Sequence, residues 1–197
     1  MFSYKIDDES VVRLLERRHA EEVLALTEQN RDRLREWFPW LDDTRTVADV
    51  RAFIREALMV FASDEGFHAG IWHQGRFAGC IDCQAIDRAN HKVAIGYWLG
   101  AEFEGKGLVT RAACAMIDWL FREAGLQRVE IHCATGNHKS RAIAKRLGFT
   151  EEATHKQSAW LYDHYVDMVI YAMLKEQWAV VGGQWAVVGR ETYPSLL

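Results

Sequence analysis

Proline is scarce, with two residues in a chain of 197. Glycine is ordinary, at fourteen, so collagen-like and Pro/Gly-rich disordered architectures are excluded. No apolar run approaches the roughly 18 residues of a membrane-spanning helix, so no membrane partner is expected. No run of five basic residues occurs, and 24 Lys+Arg against 28 Asp+Glu leave a net charge of −4. A nucleic-acid partner would require a basic face, so none is expected. The opening MFSYKIDDESVVRLLE is acidic and has no apolar signal core, which implies a cytoplasmic location. There Cys80, Cys83, Cys114 and Cys133 are expected to be reduced thiols. Cys80-x-x-Cys83 has no second Cys pair, and its segment FAGCIDCQAI reads as a strand. Residues three apart on a strand point to opposite faces, so no metal site is expected.

What is present is the composition of a globular protein. Hydrophobic residues make up 49% and eight residues are Trp. This length suits one domain with a substantial core. Residues 11–15 read as a strand and 20–29 as a helix. Trp37, Phe38 and Trp40 cluster around Pro39, which interrupts helix. Thr46-x-x-Asp49 resembles a capping box, and an apolar stripe from Val47 to Phe61 follows it. Strands are expected at 67–72 and 76–86 around a Gln74-Gly75 turn, then at 93–99. A helix then runs from Leu108 towards Gly125, followed by a strand at 128–134 and a short helix at 140–147. Strands at 149–155 and 165–174 complete an α/β (α+β) pattern around one sheet, without an interior linker.

The sharpest local signal is Glu104-Gly105-Lys106-Gly107, between the strand ending at Leu99 and the helix starting at Leu108. Glycines let a backbone turn tightly and approach a ligand closely. The free amides and positive dipole end of a helix N-terminus favour an anion such as phosphate, and Lys106 adds charge. An ATP-binding loop fits Gly100-x-x-x-x-Gly105-Lys106, but Gly107 stands where the Mg²⁺-holding Ser or Thr belongs. A dinucleotide fingerprint fails because Thr110 stands at its third glycine. Two readings stay open: a helix entry without a ligand, and a coenzyme A pyrophosphate loop, which needs backbone amides and no metal.

At these residues the segment 104–109 resembles motif A of the GNAT acyltransferases, Q/R-x-x-G-x-G/A. Gly107 matches; Glu104 and Val109 depart from it, and Glu104 is expected to point away from a pyrophosphate. The segment Asn137 to Phe149, NHKSRAIAKRLGF, resembles motif B, N-x-x-S…R-x-G-F. With the RLLE opening, GYWL and GKGL, the ordered set is most similar to the subfamily that acetylates ribosomal-protein N-terminal alanine or serine. The resemblance implies a GNAT fold over residues 1–178: a mixed, mostly antiparallel sheet of about seven strands flanked by helices, with one splayed strand pair. It implies acetyl-CoA as co-substrate and a primary amine as acceptor. The acceptor expected is a ribosomal protein N-terminus, with polyamines or small amines as the alternative. A non-catalytic acyl-CoA-binding protein is the alternative of another class.

The resemblance also implies site residues. Gly105, Lys106, Gly107, Leu108, Val109 and Thr110 would hold the pyrophosphate. Backbone amides near Leu99 would polarise the thioester carbonyl. Ser140 would give a proton to the leaving thiolate, or else cap its helix. Asn137 would hold the pantetheine or form a turn, and Arg141 would join the coenzyme site. The general base stays open. The positions where relatives carry Glu fall at Ala94 and Ala159; Asp82, His132 and Tyr165 are alternatives, and a bound water is another. Trp37, Phe38, Trp40 and Trp72 are candidates for the acceptor cleft.

Residues 179–197 are expected to form an extension outside that domain. QWAVV occurs twice, at 177–181 and 184–188, on either side of Gly182-Gly183. Trp and Val favour strands and Gly-Gly favours a tight turn, so the pair reads as a hairpin packed on its own domain or on a second copy in a homodimer. A loose end is the other reading.

Overall fold

The computed structural model describes residues 3–181. Its elements in chain order are β1 (Ser3–Asp7), β2 (Ser10–Leu14), α1 (Ala20–Gln29), α2 (Arg31–Arg35), α3 (Val47–Ala62), β3 (Phe67–His73), β4 (Arg76–Asp87) and β5 (Lys92–Leu99). They continue with α4 (Leu108–Arg122), β6 (Arg128–Ala134), α5 (His138–Arg146), β7 (Thr150–Leu161), β8 (His164–Leu174) and α6 (Lys175–Val181). The eight strands form one mixed sheet in the order β1-β2-β3-β4-β5-β6-β8-β7. Every neighbouring pair is antiparallel except β5 and β6.

The strand count exceeds the sequence expectation by one, because β1 is legible only through its partner. SYKID is short and polar, and it becomes a strand by pairing along β2 at the sheet edge. The central strands need no such help. All seven residues of β3 are buried, and alternate side chains meet helices on opposite faces. Phe67 packs edge-on against Trp119 of α4, while the next residue, His68, meets Phe53 of α3. The helices α1 and α3 therefore cover one face of the sheet's centre and α4 covers the other. Trp72 lies in the first interface, 2% exposed, and its indole N–H donates to Glu22 of α1. It is a core residue and so is no candidate for an open acceptor cleft.

Local signals act as expected at the helix ends. Thr46 and Asp49 form the capping box of α3: the Asp49 N–H donates to Thr46 Oγ1 at 3.2 Å and the Thr46 N–H donates to Asp49 Oδ2 at 2.8 Å. The apolar stripe of α4 is fully buried through Leu108, Ala112, Ala113, Ile117 and Leu120. Each buried Leu or Ile contributes about 1.5–3 kcal/mol relative to exposure. The β3–β4 turn takes positive φ at both Gln74 and Gly75, as the twist of a two-residue hairpin requires.

Several elements differ from expectation: β7 runs on to Leu161, past the expected end at 155, and α2 is not among the expected helices. The helix α5 starts two residues early, at His138, because Asn137 and not Ser140 is its cap. The Asn137 Oδ1 accepts the Ser140 N–H at 3.1 Å. The first copy of the repeated QWAVV, expected as a strand, is helical within α6. Gln177 Oε1 accepts the Leu174 N–H at 3.0 Å, and the Trp178 indole donates to Asp118 of α4 at 3.1 Å. Docking of Trp178, 4% exposed, outweighs the strand preference of Val and Trp. The second copy, and with it the hairpin and homodimer expectations, lies outside the described residues. No helix among the described residues is long and apolar enough to cross a membrane.

Candidate active site

The strands β5 and β6 run side by side only at their first three residues, where Lys92, Val93 and Ala94 pair with Arg128, Val129 and Glu130. Beyond that point they part. A cavity of about 820 Å³ opens in the gap, walled by residues 95–99 of β5 and 131–134 of β6. The divergence has a local partner in β4. A Cβ at Gly79 would lie 2.1 Å from the Trp98 carbonyl oxygen, so only glycine lets β4 approach the end of β5 this closely.

One end of the cavity is the loop before α4. Gly105 and Gly107 both have positive φ, 74° and 71°, and Gly107 is the N-cap of α4 without a side chain to satisfy the first amides. Those N–H groups therefore stay available to an anion. Leu108, Val109 and Thr110 line the cavity beside Gly105 and Gly107. Cationic side chains from three other places join them: Arg33 of α2, Lys139 and Arg146 of α5, and Arg111 one turn into α4. The Arg146 guanidinium donates to Thr110 Oγ1 at 3.3 Å, which ties α5 to the first turn of α4. Glu104 does not point away from this end. It lines the cavity, held between Arg33 and Lys139 Nζ, the latter at 2.6 Å. Those partners offset its charge.

Two residues expected at the coenzyme site take other places. Lys106 is absent from the lining, and its Nζ lies 5.6 Å from the centre of the Phe103 ring. The Arg141 guanidinium donates to Tyr171 Oη and to the Thr135 carbonyl, both at 3.1 Å, and braces α5 against β8. The residues of α5 that meet the cavity are Lys139, Ser140, Ala142, Ile143 and Arg146, of which 139, 142, 143 and 146 form a regular helical stripe. That spacing was a readable signal for Lys139 and Arg146. Arg33 carried none, since it lies over sixty residues away in sequence.

Midway along the cavity stands Ser140, whose Oγ is 3.2 Å from Tyr97 Oη of β5. Burial raises the Tyr97 phenol well above its ordinary range, so the phenol stays protonated and can share a proton with Ser140. Cys133 faces the same region; burial raises its thiol, which keeps it neutral. Leu99 ends β5 in the cavity wall, and its carbonyl accepts from the Arg33 guanidinium. Asn137 also lines the cavity while capping α5.

The other end is aromatic. Trp37, Phe38, Trp98 and Trp160 line it, and Trp40 packs on Trp98 at 6.4 Å between ring centres. Ala159 lies in this wall, so the position brings no carboxylate. Asp82 sits under Gly96, 4.0 Å from His68, outside the lining residues. Tyr165 is also outside them, its ring packed on Trp160. His132 of β6 does line the cavity. Among the described residues no cluster of His, Cys, Asp or Glu is arranged to hold a metal ion.

This geometry matches known proteins. Residues 11–150 match the acetyltransferase (GNAT) domain family. The chain is 36% identical over 90% of its length, and 98% of the relative's, to YdaF of Bacillus subtilis (strain 168), named provisionally as a ribosomal N-acetyltransferase. It is 25% identical over 86% of its length, and 95% of the relative's, to the ribosomal-protein-serine acetyltransferase of Escherichia coli (strain K12). Among solved structures, the microcin C7 self-immunity acetyltransferase MccE in complex with acetyl-CoA and AMP superposes with a TM-score of 0.83 at 31% identity. That match covers 86% of this chain and 94% of the other.

Proposed function

The chain belongs to the GNAT acetyltransferase family, and on that premise we propose that it moves an acetyl group from acetyl-CoA to the N-terminal amine of a ribosomal protein. The observation that carries the transfer reading is the gap between β5 and β6 with a bare helix N-terminus at its end. The cavity lining has the chemistry to serve a linear, anionic thioester: cations and free amides at one end, an apolar wall along the strands, aromatic rings at the other. The acceptor class is drawn from the names of the relatives, two of which concern ribosomal proteins.

In this reading the amides of Leu108, Val109 and Thr110 meet the pyrophosphate, and Arg146, Lys139 and Arg33 add positive charge around it. The thioester then lies beside Leu99 and Ser140. A neutral amine attacks the carbonyl carbon, a C–N bond forms and the C–S bond breaks. The Ser140 hydroxyl supplies the thiolate's proton and recovers one from the new amide nitrogen, with Tyr97 keeping the hydroxyl oriented. Asn137 contributes by fixing the first turn of α5, on which Ser140 stands. Much of the gain comes from holding amine and thioester together.

The test is a thiol-release assay with acetyl-CoA and peptides copied from ribosomal protein N-termini, with product mass measured. An acetylated N-terminus supports the reading. Turnover on spermidine but on no peptide moves the acceptor to the polyamines. Tight coenzyme A binding without turnover on any amine makes the protein an acyl-CoA-binding module.

A further inference from the structure

We infer that His132 is the group that takes the proton from the acceptor ammonium, with Glu130 as its positioning residue; the inference rests on the acetyl-transfer reading above. The reaction needs a neutral amine, and an N-terminal or aliphatic amine reaches the enzyme as an ammonium. The two alanines at 94 and 159 leave no carboxylate at those positions.

The register of the sheet singles out His132. The last bonded pair of β5 and β6 is Ala94 with Glu130. Two residues further on, Gly96 and His132 stand on the same face, on opposite sides of the opening gap. Gly96 has no side chain to cover that gap, the Asp82 carboxylate lying 3.2 Å from where its Cβ would stand, and Ala94 has only a methyl. His132 is therefore at the branch point where the cavity reaches the sheet face remote from α4. Of Asp82, His132 and Tyr165, it alone lines the cavity. Its side chain is 40% exposed, so an incoming amine can reach it.

The ring is also oriented for the task. His132 Nε2 lies 2.6 Å from Glu130 Oε2. The other oxygen of Glu130 accepts from Arg128 Nε at 2.6 Å, and Arg128 pairs in turn with Glu152. Burial pushes the Glu130 carboxyl up, but hydrogen bonds from Arg128 and His132 more than offset this and hold it below the ordinary glutamate range. An ionised Glu130 takes the Nε2–H, which leaves the lone pair on Nδ1. A carboxylate that fixes the tautomer and steadies the imidazolium is a recurrent arrangement for a histidine base. In the step, the ammonium N–H bond breaks, its electron pair stays on nitrogen, and the proton goes to His132 Nδ1 and then to water. The second amine proton leaves through Ser140, as above, and ends on sulfur. One proton is released per acetyl group transferred.

The experiment uses the full chain, acetyl-CoA and a peptide that the wild type acetylates. His132→Gln should lower kcat about 10²–10⁴-fold while acetyl-CoA affinity, measured by calorimetry, stays within about twofold. Free imidazole should restore part of the rate to His132→Ala. Glu130→Gln should lower kcat less, and imidazole should not rescue it. A second readout needs no turnover: a bisubstrate analogue joining coenzyme A to the peptide amine should shield His132 from carbethoxylation by diethyl pyrocarbonate, read by peptide mass mapping. Unchanged kcat in His132→Gln, or equal labelling with and without the analogue, overturns the assignment. A wild type that binds acetyl-CoA and acetylates no amine overturns the transfer reading, and the base assignment falls with it.

Discussion

The two ends of the cavity are built from different kinds of information. The anion end is made mostly by one continuous stretch, residues 104–111, whose glycines set the turn and leave amides free. The other end is assembled from the segment after α2 and from β5, β6 and β7, brought together only by the sheet. A site made of backbone amides tolerates changes of side chain, and the turn before α4 keeps its geometry with Glu104 and Val109 in place. A proton-handling site depends on single side chains and on strand register. Ala94 and Ala159 offer it no side chain that can take a proton.

The largest expected effect breaks the anion end. Gly107→Glu should abolish coenzyme A binding in calorimetry. Gly107 has a φ of 71°, and an added Cβ would lie 2.9 Å from an Arg111 nitrogen. The substitution also brings negative charge to the helix N-terminus that is to receive phosphate. Binding retained at wild-type strength would place the pyrophosphate elsewhere.

Next, Ser140→Ala should lower kcat about 10²–10⁴-fold with little change in acetyl-CoA affinity, the signature of a lost general acid. Steady-state kinetics and calorimetry on the same preparation check this. Unchanged turnover would pass the proton-donor role to Tyr97, 3.2 Å away.

Asn137→Ala tests whether the cap matters to chemistry. Loss of the side-chain acceptor for the Ser140 N–H should cost about 0.5–2 kcal/mol in denaturant unfolding. It should also lower kcat, because α5 carries Ser140 into the cavity. A stability loss with wild-type kinetics would confine Asn137 to the fold.

The smallest effect is expected at Glu104. Glu104→Gln removes the one carboxylate between Arg33 and Lys139 and should tighten coenzyme A binding by no more than about 1 kcal/mol, more at low salt. Weaker binding would mean that Glu104 holds those cations in place for the ligand.

Much of the core was legible in the chain itself, for reasons that are local. The α3 capping box, the stripe of α4, the Gln74-Gly75 turn and the glycines before α4 each state their structure within a few residues. The surroundings of Ser140 were partly legible, since Asn137 caps the short helix that carries it and the order of that helix with the glycine loop is distinctive. Tertiary structure decided the rest. It turned Lys106 and Arg141 outside the cavity lining and brought Arg33 in from α2. It made Trp72 core and wound the first QWAVV into α6 through Trp178's bond to Asp118. It put His132, and neither Asp82 nor Tyr165, in the cavity lining, because alternation along a strand gives two faces but not which face meets the gap. Only the pairing of Ala94 with Glu130, and the parting of the strands beyond it, settles that. Short-range sterics and hydrogen bonds are written in neighbouring residues, while the position of a side chain at a strand branch depends on a partner strand some thirty residues away.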